Sequence, residues 1–161
     1  MIFETVSTSS DDTERLGQLL GSLLKSPEVI ELRADLGGGK TTFVRGLARG
    51  LRSKDMVSSP TFTLNKIYKT KNLEIHHFDF YRLNDAGVVA DQLAESLENP
   101  KVITVVEWSD IVQNVLPTDR LSIEFKMMPN SSEERKISIS YRETQAKIIR
   151  QLETKWQKSQ P

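Results

Sequence analysis

The chain has 161 residues with 22 basic and 22 acidic side chains, so its formal charge is zero and composition gives no sign of general nucleic-acid affinity. It has no cysteine, which excludes disulfides and thiolate metal sites and fits a reducing compartment. Its apolar runs are too short for a membrane span, and "MIFETVSTSSDD" lacks the basic and apolar stretches of a signal peptide, so one soluble, cytoplasmic domain is expected.

Taken in chain order, Ile2 to Val6 alternate as a short strand. Asp11 and Glu14 have capping-box spacing and open a helix whose apolar face is Leu16, Leu19, Leu20, Leu23 and Leu24. Ser26-Pro27 closes it. Val29 to Ala34 is an apolar strand that feeds a glycine-rich turn. The helix after the turn puts Phe43, Val44, Leu47 and Leu51 inward and Arg45, Arg49 and Arg52 outward, with Gly50 near its end. Two β segments follow, Thr61 to Tyr68 and Leu73 to Phe80, around the polar turn Lys69 to Asn72. A weaker helix is predicted from about Val88 to Glu98. Lys101 to Trp108 has a β-branched core that suits a strand covered on both faces. Arg120 to Met127 and Lys136 to Arg142 predict a hairpin around the loop Pro129 to Glu134, and Glu143 to Trp156 turns helical and strongly charged. Strands alternating with helices, with extra antiparallel strands toward the C-terminus, predict an α/β sandwich on a mixed sheet. Ligands of such sheets sit beyond the carboxyl ends of the strands, where the glycine turn, Asp79 and Glu107 converge.

The turn "ADLGGGKTT" (Ala34 to Thr42) is close to the phosphate-binding pattern G-x-x-x-x-G-K-[ST], with Ala34 at the first glycine. Gly37, Gly38 and Gly39 allow backbone amides to approach a phosphate chain, and the helix starting at Lys40 adds its positive dipole end. Lys40 then reaches the β- and γ-phosphates and the Thr41 hydroxyl binds Mg²⁺, while Asp35 and Leu36 fill variable positions. The plainer alternative is a glycine turn that only caps a helix. Ala34 costs little if its φ is negative and strains the turn otherwise.

Three other stretches bear on chemistry. Pro60 keeps Ser59 extended and sets Thr61 either toward a γ-phosphate or its metal, or at an ordinary strand start. Alternation places His77, Asp79 and Tyr81 on one side of their strand and His76, Phe78 and Phe80 on the other, so the adjacent histidines do not form a metal site. Asp79 ends that strand as a Mg²⁺ contact or as a turn acceptor. Glu107 follows an apolar strand as a Walker B carboxylate does, and Trp108 is either core or site. The outward arginines form a solvated face or a partner surface.

Gly-Gly-Gly-Lys-Thr-Thr-Phe-Val-Arg-Gly-Leu (Gly37 to Leu47), Ser-Pro-Thr-Phe-Thr-Leu (Ser59 to Leu64), His-Phe-Asp-Phe-Tyr-Arg-Leu (His77 to Leu83) and Glu107-Trp108 occur in that order. Together they resemble the TsaE (YjeE) family, bacterial ATPases that support threonylcarbamoyladenosine modification of tRNA, over about residues 1–142. The resemblance implies a P-loop NTPase-like three-layer sandwich over residues 1–142; the charged C-terminal helix or tail 143–161 lies outside the match and is expected either to pack on or to extend from the same domain. It implies ATP and Mg²⁺ as cofactors. Nucleotide would be bound by Asp35, Leu36, Gly37, Gly38, Gly39, Lys40, Thr41, Thr42, Thr61 and Trp108. Thr41, Asp79 and Glu107 would hold the metal, and Lys40, Asp79 and Glu107 would carry catalysis. The implied partners are TsaD and TsaB, with tRNA reached indirectly through their complex and no role for DNA or a membrane. Hydrolysis would be weak alone and stimulated by those partners. Ala34, and "LNKIY" (Leu64 to Tyr68) in place of Leu-Val-x-x-Tyr, depart from the family pattern. The competing readings are a small P-loop metabolite kinase and a non-hydrolysing nucleotide-binding adaptor. Asp85 to Pro100 contains no arginine, which makes a poor kinase lid.

Overall fold

The structure is a computed structural model and describes residues 1–160. In chain order its elements are β1 (Ile2–Ser7), α1 (Ser10–Leu23), β2 (Glu28–Arg33), α2 (Lys40–Gly50), β3 (Asn65–Lys69), β4 (Glu74–Asp79), α3 (Gly87–Glu98), β5 (Val102–Glu107), β6 (Leu121–Met127), β7 (Arg135–Ser140) and α4 (Ala146–Ser159). Short 3-10 turns cover Ser109–Val112 and Glu143–Gln145.

All seven strands form one sheet in the order β1-β7-β6-β2-β5-β4-β3. The four central strands β6, β2, β5 and β4 run parallel. β7 is antiparallel to β6, β1 to β7, and β3 to β4, so the sheet is mixed. β5 lies between two parallel neighbours and all six of its residues are buried, which accounts for its unbroken apolar sequence.

The larger core lies between one face of the sheet and helices α1, α2 and α4, around Leu16, Leu20, Phe43, Leu47, Ile123, Ile139 and Leu152. A smaller core sits under α3, around Phe78, Phe80, Leu93, Val106 and Val112. The third layer therefore covers only the β2-β5-β4 half of the sheet. On β1, Ile2 and Val6 remain exposed, and Glu4 pairs with Lys136 across to β7. α4 is built into the larger core: Ile149, Leu152 and Trp156 are buried, and the Trp156 indole donates to Thr5 Oγ1 at 2.6 Å.

Two local expectations change. The cap of α1 is Ser9, whose hydroxyl accepts from the Asp12 amide at 3.1 Å, not Asp11. Asp12 in turn accepts from the Thr8 amide and hydroxyl. The strand predicted from Thr61 begins only at Asn65, because Thr61 to Leu64 form a turn. There the Pro60 carbonyl accepts from the amides of Thr63 and Leu64, and Leu64 takes a φ of 67°.

α1 and α2 touch backbone to backbone. A Cβ on Gly46 would lie 1.9 Å from the Glu14 carbonyl oxygen, and one on Gly17 would lie 2.2 Å from that of Phe43. Gly21 and Gly50 meet the opposite helix in the same way. These four small positions fix α2, and hence the turn before it, against α1.

Candidate functional site

The glycine turn leaves β2 at its carboxyl end. The Gly38 amide donates to the Asp35 carbonyl at 3.0 Å, and Gly37 and Gly39 take φ values of 75° and 104°, open to glycine and strained for other residues. Gly39 caps α2 with no side-chain hydrogen bond, and the first turn of α2 carries no acidic residue. Its free amides and positive dipole end thus face the turn uncompensated. Ala34 is not among the described non-glycine residues of positive φ, so the alanine is unstrained. Its methyl group packs on Gly38: a Cβ there would come within 2.5 Å of Ala34 Cβ.

Lys40 is 7% exposed. Its Nζ donates to the carbonyls of Ala34 at 3.1 Å and Asp35 at 3.3 Å, and lies 4.9 Å from the centre of the Trp108 ring. Burial pushes its pKa below the ordinary lysine value, while Glu107, Asp79 and Asp35 pull the other way.

Asp79 and Glu107 are register partners at the carboxyl ends of the parallel strands β4 and β5, and both are buried. The Thr61 hydroxyl donates to Asp79 Oδ2 at 2.7 Å, and the Tyr81 amide donates to Oδ1 at 2.9 Å. Thr61 Oγ1 also lies 2.7 Å from Ser59 Oγ. Asp79 thus holds the Thr61 turn as well as facing the site. Glu107 Oε1 lies 2.7 Å from Nε2 of the buried His77. Trp108 takes a left-handed conformation, φ 53° and ψ 52°, which turns its ring toward Lys40 and Tyr81.

These elements enclose a cavity of about 220 Å³ lined by Leu36, Gly37, Gly38, Gly39, Lys40, Thr41, Thr42, Ser59, Thr61, Asp79, Glu107 and Trp108. Of the residues expected from the sequence to bind nucleotide or metal or to carry catalysis, only Asp35 is missing from this lining; its carbonyl is engaged inside the turn and its side chain is exposed. Ser59 lines the cavity beside Thr61, a role the sequence did not show although it stands in the Ser-Pro-Thr motif. The outward arginines Arg45 and Arg49 both pair with Glu14 of α1. A second cavity of about 350 Å³ shares Gly37, Gly39 and Thr42 with the first and extends to Ser9, Ser10, Thr13, Ser132, Glu133 and Arg135. No linear pattern joins the start of α1 to the β6–β7 loop; only the sheet order brings them to the same glycine turn.

The donor set fits a phosphate chain with Mg²⁺. Free amides, a buried ammonium and a hydroxyl at Thr41 meet two carboxylates across a narrow cavity. No group of three or more His, Asp or Glu residues suited to a metal exists among the described residues. Mg²⁺ needs no such cage, being held by one or two protein oxygens together with substrate phosphates and water. No helix among the described residues is long and apolar enough to cross a membrane.

Residues 7–137 match the model of the family described as threonylcarbamoyl adenosine biosynthesis protein TsaE. Curated proteins named tRNA threonylcarbamoyladenosine biosynthesis protein TsaE are similar. That of Treponema pallidum is 36% identical over 80% of this chain and 95% of its own length. That of Bacillus subtilis is 34% identical over 74% of this chain and 75% of its own. The crystal structure of Bacillus subtilis YdiB superposes with a TM-score of 0.80 at 28% identity and covers 96% of each chain. The seven-stranded mixed sheet flanked by helices is thus a P-loop NTPase-like fold.

Proposed function

The chain belongs to the TsaE family, and from that premise we propose that it binds and hydrolyses Mg·ATP in the service of threonylcarbamoyladenosine formation on tRNA. The observation that carries this reading is the meeting of Lys40 and the free N-terminus of α2 with the register pair Asp79 and Glu107 across one cavity. The amides of Gly37, Gly39 and Lys40 bind the phosphates, and Lys40 Nζ leaves its loop carbonyls for the β- and γ-oxygens. Thr41 and the carboxylates of Asp79 and Glu107 would hold Mg²⁺, which would supply positive charge to neutralise the phosphates. Asp79 keeps Thr61 and Ser59 beside the terminal phosphate, and Glu107 orients the attacking water. The second cavity accommodates the nucleoside end, reached across Gly37 and Gly39. TsaD and TsaB are the proposed partners, with tRNA reached through their complex.

Replacing Lys40 by Ala removes a charge-assisted contact of about 1.5–3 kcal/mol, so ATP affinity should fall about ten-fold or more. Calorimetry with Mg·ATP on wild type and Lys40→Ala reads this directly. Equal affinities would overturn the site. Phosphate delivered to a small metabolite in place of water would point to a kinase.

A further inference from the structure

We propose that His77 is a positioning residue for Glu107, acting through the hydrogen bond between them and not on the nucleotide itself; this rests on the reading of Glu107 given above. His77 is fully buried in β4, two residues before Asp79 and on the same face. Its Nε2 lies 2.7 Å from Glu107 Oε1, and its Nδ1 is buried with no hydrogen-bond partner. Those two facts select a tautomer. With hydrogen on Nε2 the ring donates to the carboxylate, and Nδ1 is a bare acceptor. With hydrogen on Nδ1 the ring would bury an unpaired donor and set a lone pair against a carboxylate oxygen, losing a charge-assisted bond as well. The ring is held by its place in the sheet, opposite Lys66 on β3 and Val105 on β5, with the Tyr68 ring 6.2 Å away. Glu107 is thereby fixed through one oxygen while its carboxylate still lines the cavity with Lys40 and Asp79.

His76, the neighbouring residue, points to the other face and bonds Glu74. Of the two histidines of the chain only His77 therefore bonds Glu107, and the two are chemically distinct reporters. Groups that orient a metal- or water-binding carboxylate typically contribute about 10–100-fold in activity or metal affinity.

The test uses the intact chain with His77→Leu, which fills the space but cannot donate, His77→Gln, which restores an amide donor, and Glu107→Gln. His77→Leu should lower kcat for phosphate release by about 10–100-fold, with KM for ATP and Mg²⁺-free ATP affinity little changed. His77→Gln should recover much of the loss. In the Glu107→Gln background His77→Leu should have no further effect, because residues acting through one another are not additive. A full kcat in His77→Leu, or a loss that simply multiplies with that of Glu107→Gln, overturns the proposal. Should His77→Leu fail to fold, His77→Gln and the spectrum of the wild type decide. Nitrogen-15 NMR of histidine-labelled protein, assigned with His76→Gln, must show hydrogen on Nε2 of His77; hydrogen on Nδ1 sinks the idea. A wild type with the Nε2–H tautomer but no phosphate release even in the presence of TsaD and TsaB would instead remove the ATPase reading.

Discussion

Ala34 and Gly38 touch, and that contact decides what each position can hold. Ala34 has no positive φ to relieve, so Ala34→Gly should leave Mg·ATP affinity within about five-fold, the worth of about 0.4–1 kcal/mol in loop flexibility. Gly38→Ala is different, since its Cβ meets Ala34 Cβ at 2.5 Å and the Asp35 carbonyl oxygen at 2.9 Å. It should cost most of the affinity, and Ala34→Gly in the same chain should return part of it, a rescue that calorimetry can follow. Glu31 shows a second residue-scale effect, on the opposite face of the sheet from Lys40. Burial alone would raise its pKa, but hydrogen bonds from Ser109, Arg120, Arg33 and Gln113 overcome this and hold it at about 2, against an ordinary 4.5. Ser109 and Gln113 belong to the turn just after Trp108, so Glu31 anchors the segment that carries Trp108. A depressed carboxylate pKa stabilises the fold fully above the unfolded value near 4.5 and loses that effect as pH falls through about 2. Thermal melts of wild type and Glu31→Gln should therefore be far apart near neutral pH and draw together on acidification through that window. A gap independent of pH would show that Glu31 acts by shape alone.

At the scale of elements, the close crossing of α1 and α2 sets where the glycine turn stands. Gly46→Ala would drive a methyl group into the Glu14 carbonyl, where only backbone can give way. Overpacking of this kind costs about 1–3 kcal/mol or more, and about 2–4 °C per kcal/mol in a domain of this size. A melting temperature lower by several degrees, with weaker ATP binding because α2 shifts, is the expected outcome. An unchanged melt would mean that the helices can separate without loss. The sequence displayed the leucine stripe of α1 plainly, since apolar side chains repeat with the helical period. It did not display this crossing, because Gly17, Gly21, Gly46 and Gly50 act by what they lack, and periodicity registers only what is present. The turn at Thr61 to Leu64 escaped for another reason. Its threonines and Phe62 favour strands, yet the Pro60 carbonyl captures two amides and Asp79 captures Thr61. Local preference lost to tertiary hydrogen bonds. Ser9 prevailed over Asp11 as helix cap because Asp12, three residues after Ser9, is pinned by Thr8.

For the whole molecule, the chain order of strands and helices was legible, and so was the convergence of three motifs at one end of the sheet. What linear order could not convey was adjacency: β2 sits between β5 and β6, and this places Glu107 beside Leu32 and the turn that follows it. The same sheet order creates the second cavity and the His77–Glu107 pair. It also bears on turnover. Among the residues lining the cavity, Lys40 is the sole cation for a transferring phosphate. Arg82, three residues after Asp79, lies with its guanidinium 4.1 Å over the exposed Phe62 ring and is absent from the lining. Arg135 lines the other cavity and donates to the carbonyls of Ser132 and Glu134. P-loop ATPases gain about 10³–10⁵ in rate when an arginine arrives at the transferring phosphate. Hydrolysis by this chain alone should therefore be slow, and should rise when TsaD and TsaB from the same source supply the missing charge or order the Thr61 turn. Steady-state phosphate release with and without those proteins measures this. Lys40→Ala must abolish the stimulated rate, since phosphate placement is common to both conditions. Arg82→Ala should leave the solo rate unchanged, because its guanidinium is occupied by Phe62. A solo rate already in the range of stimulated ATPases, or one that collapses in Arg82→Ala, would mean that Arg82 swings into the cavity and that the chain completes its own site.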